Sequence, residues 1–178
     1  MVNLIDNLLS LSKLGRKEVN KSPVDMEALT KAALYEINKT IKHNAEIKIH
    51  KLHPAMADPT LINQVITNLL SNAIKYSSKK EQPVIEIQSE KREKEYIYEI
   101  RDNGAGFDTQ NADDLFEVFQ RFHSEKEFEG IGVGLAIVNL IIRKHGGRVW
   151  AEGKINEGAV FYFSLPEDSK ANYRLSNL

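Results

Sequence analysis

The stretch 59–77 constrains the fold of this chain most strongly, because it predicts one long helix with two sides of opposite character. Asp58 and Pro59 open it as an N-cap residue followed by a proline at the first helical position. At about 100° per residue, the apolar residues that share one side are Ile62, Val65, Ile66, Leu69, Ala73 and Ile74. Such a helix must cover its apolar side with a second layer of structure, so a layered domain is expected.

The other side of this helix carries a polar stripe of unusual composition. The members of the stripe, which fall within an arc of about 80°, are Gln64, Asn68, Asn72 and Lys75. Solvated helix faces more often carry Glu and Lys, because Asn is a poor helix former. An asparagine oxygen is a hard, neutral ligand that Mg²⁺ accepts beside phosphate oxygens and water. Taken alone, the stripe keeps a second interpretation as an ordinary solvated helix face.

The elements predicted around this helix indicate an α/β sandwich, with helices on one face of a mixed, mostly antiparallel sheet. The predicted helices cover 25–42, 59–77 and 133–144, with a short aromatic helix at 115–122. The predicted strands cover 45–52, 84–90, 96–102, 148–152 and 160–165, and the second and third form an antiparallel hairpin. Residues 1–14 predict the end of a further helix, which Gly15 stops, and a polar linker leads from there to Asp25.

Composition excludes several classes of function. The 24 Lys and Arg residues are balanced by 25 Asp and Glu, a net charge of −1, whereas nucleic-acid binding normally shows a basic excess. The chain has no cysteine, which excludes disulfides, thiolate chemistry and cysteine-based zinc sites. No apolar run approaches the roughly 20 residues of a membrane span, and the start has no secretory signal. We therefore expect a globular, cytoplasmic domain that contacts neither nucleic acid nor membrane.

Two glycine-rich motifs follow the polar stripe along the chain. Asp102-Asn103-Gly104-Ala105-Gly106-Phe107 comes directly after a predicted strand. It is either a simple tight turn or a turn that points the Asp102 carboxylate at an exocyclic amine, such as that of adenine. Gly130-Ile131-Gly132-Val133-Gly134-Leu135 opens the helix at 133–144 without the Gly-Lys-Ser/Thr of a P-loop. Backbone N–H groups at such a helix start can bind phosphate, although a lone glycine-rich run is a weak signal.

Together these motifs resemble the catalytic ATP-binding domain of two-component sensor histidine kinases, within the GHKL superfamily that also holds gyrase, Hsp90 and MutL. Residues 64–76 resemble its N box, 102–107 its G1 box, 116–122 its F box and 130–135 its G2 box. The resemblance covers about 23–166 and implies the Bergerat ATP-binding fold. Residues 1–22 resemble the end of the second dimerisation and phosphoacceptor helix with its linker, and 167–178 would be a C-terminal tail.

The resemblance also implies residues for the nucleoside and the metal ion. Asn72 would hold Mg²⁺ on the ATP triphosphate, with Asn68 assisting and Lys75 and Tyr76 bordering the nucleotide. Asp102 would select adenine through its amino group. Val160 stands where many relatives carry a threonine near the adenine pocket, so a contact there would be lost or taken by water.

The remaining implied positions lie around the phosphates. The residues that would shape the turns or let phosphate approach the backbone are Gly104, Gly106, Phe107, Gly130, Gly132, Val133, Gly134 and Leu135. Arg121 or Lys126, in a mobile lid at 108–131, would reach the terminal phosphate. The catalytic set would thus be Asn68, Asn72, Lys75 and Arg121.

The resemblance implies partners outside this chain. None of the five histidines is followed by the acidic residue of the family's phosphoacceptor motif: His43, His50, His53, His123 and His145. We therefore expect the accepting histidine to lie elsewhere, and His145 to sit at a helix C-terminus, where a positive charge is favoured. A response regulator would act downstream. The full-length protein would be a homodimer and could carry a membrane anchor, whereas this chain would be monomeric or weakly associating.

Three alternatives to a histidine kinase stay open at this point. A GHKL-type ATPase would carry a glutamate base one helical turn before the Mg²⁺ asparagine, where this chain has Asn68. An amide takes no proton from water at neutral pH, which favours the kinase. A serine kinase of the anti-sigma type shares the nucleotide fold but fits residues 1–22 less well. A degenerate module would bind only protein partners, yet all four boxes are intact.

Overall fold

A computed structural model of the chain describes residues 11–109, 113–117 and 132–167. Its strands are β1 Ser22–Val24, β2 Glu46–Ile49, β3 Ala55–Ala57, β4 Val84–Arg92, β5 Glu95–Asp102, β6 Val149–Lys154 and β7 Gly158–Pro166. Its helices are α1 Met26–Thr40, α2 Pro59–Ser77 and α3 Gly134–Lys144, with a 3-10 turn at Asp113–Phe116 and helical residues at 11–16. Five strands form one mixed sheet in the order β2-β4-β5-β7-β6, in which β2 and β4 are parallel and the other pairs antiparallel. β1 and β3 form a separate antiparallel pair.

The three helices cover one face of the five-stranded sheet. α2 contacts β4 and β5, and α3 contacts β6 and β7. α1 packs on α2, and its Met26 and Thr30 lie around the same small internal gap as Tyr98 and Phe163 of the sheet. This arrangement confirms the predicted α/β sandwich. Within the described ranges, no helix is long and apolar enough to cross a membrane.

Helix α2 is the centre of the core, as its sequence pattern predicted. All six residues of its predicted apolar side are buried, and none is more than 3% exposed. Burial of each such aliphatic side chain contributes about 1.5–3 kcal/mol to folding. The polar stripe on the opposite side is only partly covered, which leaves it available to the neighbouring α3 and to a ligand.

Local signals explain where the helices begin and end. The carboxylate of Asp25 accepts the N–H of Ala28 at 3.0 Å and begins α1. The carboxylate of Asp58 accepts the N–H groups of Thr60 and Leu61, at 3.0 and 3.1 Å, and begins α2. These bonds satisfy backbone donors that have no partner inside the helix.

Several predicted boundaries were wrong. The predicted helix 25–42 ends at Thr40, and residues 11–16 are helical through Gly15, which therefore does not stop that segment. Strands β1 and β3 were not predicted, because each has only three residues, too few to show the alternation of apolar and polar residues that marks a strand. The aromatic helix predicted at 115–122 is a 3-10 turn ending at Phe116, and 118–122 lie outside the described residues.

Asp58→Ala is expected to lower the free energy of unfolding by about 2 kcal/mol, the upper end for loss of an N-cap. Its carboxylate also accepts the N–H of Asn20 at 3.2 Å and is buried at 5% exposure, so three donors lose their acceptor at once. Urea unfolding measures the effect. Asp25→Ala is the matched control, because that cap accepts one N–H at the exposed start of α1 and its loss is expected to cost about 1 kcal/mol or less. An equal or larger loss in the control would contradict this account.

Candidate functional site

Asp102 is the last residue of β5, and its side chain lies on the helix-covered face of the sheet. Its register partners Ile85 and Ala159 lie on either side of it, and residues directly opposite in antiparallel strands share a face. Asp102 is 3% exposed, and its Oδ1 accepts the N–H of Gly104 at 2.8 Å. Burial raises the pKa of Asp102 from 3.8 to about 6, while the N–H groups of Gly104 and Ala159 act in the opposite direction. A buried acceptor with a near-neutral pKa lies at this strand end.

The turn that follows Asp102 is fitted against the end of α2. The N–H of Ala105 donates to the carbonyl of Tyr76 at 3.0 Å, and a Cβ at Gly104 would overlap that carbonyl oxygen. Gly106 has a φ of 63° and lies against the carbonyl of Lys154, so this position also excludes a side chain. The turn therefore holds Asp102 beside the C-terminal end of the polar stripe.

The polar stripe of α2 faces the start of α3. Asn68 donates from Nδ2 to the carbonyl of Gln64 at 2.9 Å, and a Cβ added at Gly134 would lie 2.9 Å from Asn68 Oδ1. Among the described residues, the amide of Asn72 has no hydrogen-bond partner. The Nζ of Lys75 lies 4.3 Å from the centre of the Tyr76 ring. The stripe thus presents an unpaired amide and an ammonium group on one partly covered surface.

The start of α3 is built to accept negative charge. Val133 is the N-cap residue, and its side chain makes no capping bond. Gly132 precedes it with a φ of 75°, a conformation that favours glycine. The Val133 side chain therefore leaves the first N–H groups of α3 without a capping bond, and the positive end of the helix dipole lies beside Asn68. Val133 is buried and Leu135 packs on the core, so these two side chains anchor the helix start.

Four of the predicted site residues are not among the groups around Asp102, the polar stripe and the start of α3. Arg121, Lys126 and Gly130 lie outside the described residues. Phe107 is 6% exposed, and its ring centre lies 6.1 Å from that of Phe161, so it forms part of the core beneath the turn.

Val160 and Asp102 lie on opposite faces of the sheet but border one groove. Val160 pairs with Arg101 and Glu152, so it shares their sheet face, opposite to that of Asp102. A groove of about 430 Å³ at this end of the strands is lined by both Val160 and Asp102. The predicted place of Val160 near the adenine pocket therefore stays a prediction, although its side chain and that of Asp102 start from opposite faces of the strands. Ala159 is the β7 residue that shares the face of Asp102, and counting in steps of two from Phe161 places it there.

Two other features were missed or misjudged from the sequence. Lys80 lowers the pKa of Asp102 by its positive charge, and its ammonium donates to the carbonyl of Asn156 at 2.6 Å. His145 does cap the C-terminal end of α3, but it is 1% exposed, and burial lowers its pKa. A positive charge is therefore disfavoured there, contrary to the prediction.

Comparison with known proteins identifies the family of this chain. Residues 57–169 match the family of histidine kinase-, DNA gyrase B- and HSP90-like ATPases, HATPase_c. The chain belongs to the HATPase_c family. Cyanobacterial phytochrome A of Nostoc sp. is 38% identical over 175 residues, which are 98% of this chain and 23% of the phytochrome. The methanogenesis regulatory histidine kinase FilI of Methanothrix harundinacea is 34% identical over 172 residues, 93% of this chain and 19% of FilI.

Solved structures agree with this assignment of the HATPase_c chain. The catalytic domain of histidine kinase ThkA superposes with a TM-score of 0.70 at 27% identity, over 83% of this chain and 96% of that domain. Full-length ShkA in complex with AMPPNP has a TM-score of 0.77 at 24% identity, over 92% of this chain and 35% of ShkA. The resemblance to histidine kinase catalytic domains is thereby confirmed. The HATPase_c chain spans less than a quarter of the length of phytochrome A and FilI.

Proposed function

We propose that this HATPase_c domain binds MgATP and transfers the γ-phosphoryl group to a histidine outside the chain, in two-component signalling. The single observation that carries the proposal is that three groups lie along helix α2. They are the buried Asp102 carboxylate at its C-terminal end, the Asn72 amide, which has no hydrogen-bond partner among the described residues, and the start of α3 beside Asn68. They match the three parts of MgATP, which are an exocyclic amine, a hard cation and a polyphosphate. The ShkA complex with AMPPNP supports a nucleotide of this kind.

Each group has one task in this proposal. Asp102 accepts a hydrogen bond from the adenine amino group, and the N–H groups of α3 hold phosphate oxygens. The oxygen of Asn72, which has no hydrogen-bond partner in the described part of the chain, is a hard donor that fits Mg²⁺. When bound, Mg²⁺ would neutralise negative charge on the phosphates. In the transfer, the bond from the γ-phosphorus to the ADP oxygen breaks and a bond to an imidazole nitrogen of the acceptor forms. Positioning and charge neutralisation are the main requirements of such a step.

Asn68 argues against an ATPase as the primary function. Its Nδ2 donates to the carbonyl of Gln64, so its remaining polar atom is an amide oxygen facing Gly134. An amide oxygen cannot take a proton from an attacking water at neutral pH. In this proposal the buried Asp102 carboxylate contacts the base of the nucleotide, so it does not activate a water at the phosphates.

The remaining parts of the proposal concern the whole protein. We infer that residues 1–22 continue a dimerisation and phosphoacceptor helix, that 23–166 form the catalytic domain and that 167–178 form a tail. The histidine acceptor then lies on another segment or subunit of a homodimeric parent, and a response regulator receives the phosphoryl group. Arg121 or Lys126 is proposed to contact the terminal phosphate.

The proposal is tested by calorimetric titration of a non-hydrolysable ATP analogue, with and without Mg²⁺. Asn72→Ala is expected to weaken binding at least about tenfold with Mg²⁺ and to change it little without, since the lost group is a metal ligand. Asn63→Ala is the control, because Asn63 lies about 180° away on the same helix. An equal loss with and without Mg²⁺, or an equal loss in the control, would contradict the role given to Asn72.

A second assay separates the kinase from the ATPase. Radiolabelled ATP is incubated with the chain and a phosphoacceptor hairpin of a histidine kinase supplied separately. Acid-labile, alkali-stable label on the hairpin is expected, with little release of free phosphate in its absence. Rapid hydrolysis of ATP by the chain alone would favour the ATPase instead.

The affinity for ATP is expected to fall about tenfold between pH 7 and pH 5, because the free Asp102 carboxyl has a pKa of about 6 and its ionised form accepts the amine. The raised pKa also affects the stability of the fold. Between pH 3.8 and about 6 the Asp102 carboxyl is protonated in the folded state and ionised in the unfolded state. The contribution of Asp102 to the free energy of unfolding therefore decreases as the pH rises through that window. Titrations of wild type and Asp102→Asn at both pH values measure the effect, since the variant removes the titration of Asp102 and keeps that of ATP. The same pH dependence in both proteins would contradict it.

A further inference from the structure

The linker before the catalytic domain is held against the ends of two helices. The N–H of Asn20 donates to Asp58 Oδ2 at 3.2 Å, at the start of α2. The ammonium of Lys21 donates to the carbonyl of His145 at 3.3 Å, and that of Lys144 donates to the carbonyl of Gly15 at 2.8 Å, both at the end of α3. Leu11, Leu14 and Val19 pack on the domain core. Residues 11–21 are therefore docked on the domain, away from the nucleotide site at the other end of α3.

His145 lies at the centre of these contacts in a defined protonation state. Its Nε2 accepts the backbone N–H of Asp58 at 3.0 Å, and its Nδ1 lies 2.7 Å from the carbonyl of Ile141. A carbonyl only accepts and an N–H only donates, so Nδ1 must carry the proton and Nε2 must be bare. This geometry requires the neutral imidazole.

We propose that neutral His145 is a positioning residue that holds the linker on the catalytic domain, and that protonation of His145 releases the linker. A proton on Nε2 places two donors opposite each other, because the Asp58 N–H already points at that atom. The new N–H then competes for the Asp58 carboxylate, which now accepts the N–H of Asn20. The same proton adds a positive charge next to the Lys21 ammonium, which weakens the second linker contact.

The charged groups around His145 set the direction of its titration. Burial lowers the pKa of His145, the Ile141 carbonyl raises it, Lys21 lowers it and Asp58 raises it. Lys17 of the linker acts on Asp58 in turn by its positive charge. Because the folded pKa lies below the ordinary value of 6.5, the linker stays docked at neutral pH and is released as the pH falls below that value.

The consequence for phosphoryl transfer rests on the proposed function, whereas the docking does not. The N-terminus of α3 is proposed to hold phosphate, and its C-terminus holds the linker that leads to the upstream helix. A docked linker fixes the orientation of the bound nucleotide relative to that helix. Release of the linker frees the catalytic domain to move relative to the segment that precedes it.

Hydrogen exchange of the linker amides tests the proposal at pH 7.5 and 5.5, with rates converted to protection factors. Protection over residues 17–21 is expected to fall at least about fivefold at pH 5.5 in the wild type, while α2 and α3 stay protected. His145→Gln keeps an oxygen acceptor for the Asp58 N–H and does not titrate, so its linker is expected to stay protected at both pH values. His145→Leu, which has no acceptor, is expected to lose linker protection at both.

Two further variants keep the test decisive. His43→Gln, a change at a half-buried histidine that is bonded to Asn38 and lies away from the linker contacts, is expected to behave as the wild type. Asn20→Pro removes the linker donor without touching the buried imidazole, and should release the linker at pH 7.5 even if His145→Leu fails to fold. Unchanged linker protection in the wild type at pH 5.5, or a pH effect that persists in His145→Gln, would overturn the proposal. ATP affinity of the same samples reports on the proposed function separately.

Discussion

Asp102→Asn is expected to weaken the affinity for ATP about 100-fold. A hydrogen bond to a buried charged acceptor contributes about 1.5–3 kcal/mol, and each 1.4 kcal/mol is a factor of about ten in affinity. The variant also replaces one acceptor oxygen with an amide donor, which meets the donor of the adenine amino group. Asp102 is 3% exposed, so water cannot replace the lost acceptor. Calorimetric titration of a non-hydrolysable analogue at pH 7.5 measures the change.

The choice of nucleotide makes this prediction specific. Guanine has a carbonyl oxygen where adenine has its amino group, so the wild type is expected to bind ATP much more tightly than GTP. In Asp102→Asn the ratio of the ATP affinity to the GTP affinity is expected to be smaller. Glu86→Gln is the matched control, because this carboxylate lies on the opposite face of the neighbouring strand β4. Unchanged ATP affinity in Asp102→Asn would remove the carboxylate from the nucleotide site and favour a module that binds only protein partners.

Gly106→Ala is expected to destabilise the domain by about 4 kcal/mol or more, which is exceptional for a single methyl group. The φ of 63° strains any residue with a Cβ, and the added atom would overlap the carbonyl oxygen of Lys154 in β6. Relief of that overlap requires β6 to move away from the turn that positions Asp102. Urea unfolding should show a lower midpoint with an unchanged slope.

Gly15→Ala is the matched control, because the same substitution is expected to leave the free energy of unfolding unchanged or to raise it slightly. Gly15 lies in the helical residues 11–16, and no atom of the described residues lies within 4 Å of a Cβ placed there. Alanine is favoured over glycine in a helix by about 1 kcal/mol, so the control is expected to be neutral or slightly stabilising. Similar losses in both variants would mean that the turn after Asp102 adapts to a side chain.

Features with local causes could be predicted from the sequence. Helix 59–77 has the predicted bounds, because Asp58 and Pro59 act within its own first turn and its apolar period repeats every few residues. The hairpin of β4 and β5 and the end of α3 before Gly146 follow from equally short-range signals. The order of the four motifs was enough to indicate the family, since each motif keeps its residue types and spacing along the chain.

Features that depend on distant pairings could not be predicted in this way. The face on which Val160 lies depends on its register with Arg101, in a strand that lies about 60 residues earlier in the chain. The neutral state of His145 depends on the backbone N–H of Asp58, 87 residues away. The sequence by itself determined the helices, the hairpin and the family, because periodicity and capping act within a few residues. Only the tertiary structure decided which side chains share a face and which protonation state a buried group adopts, because strand register and burial arise when distant segments pack together.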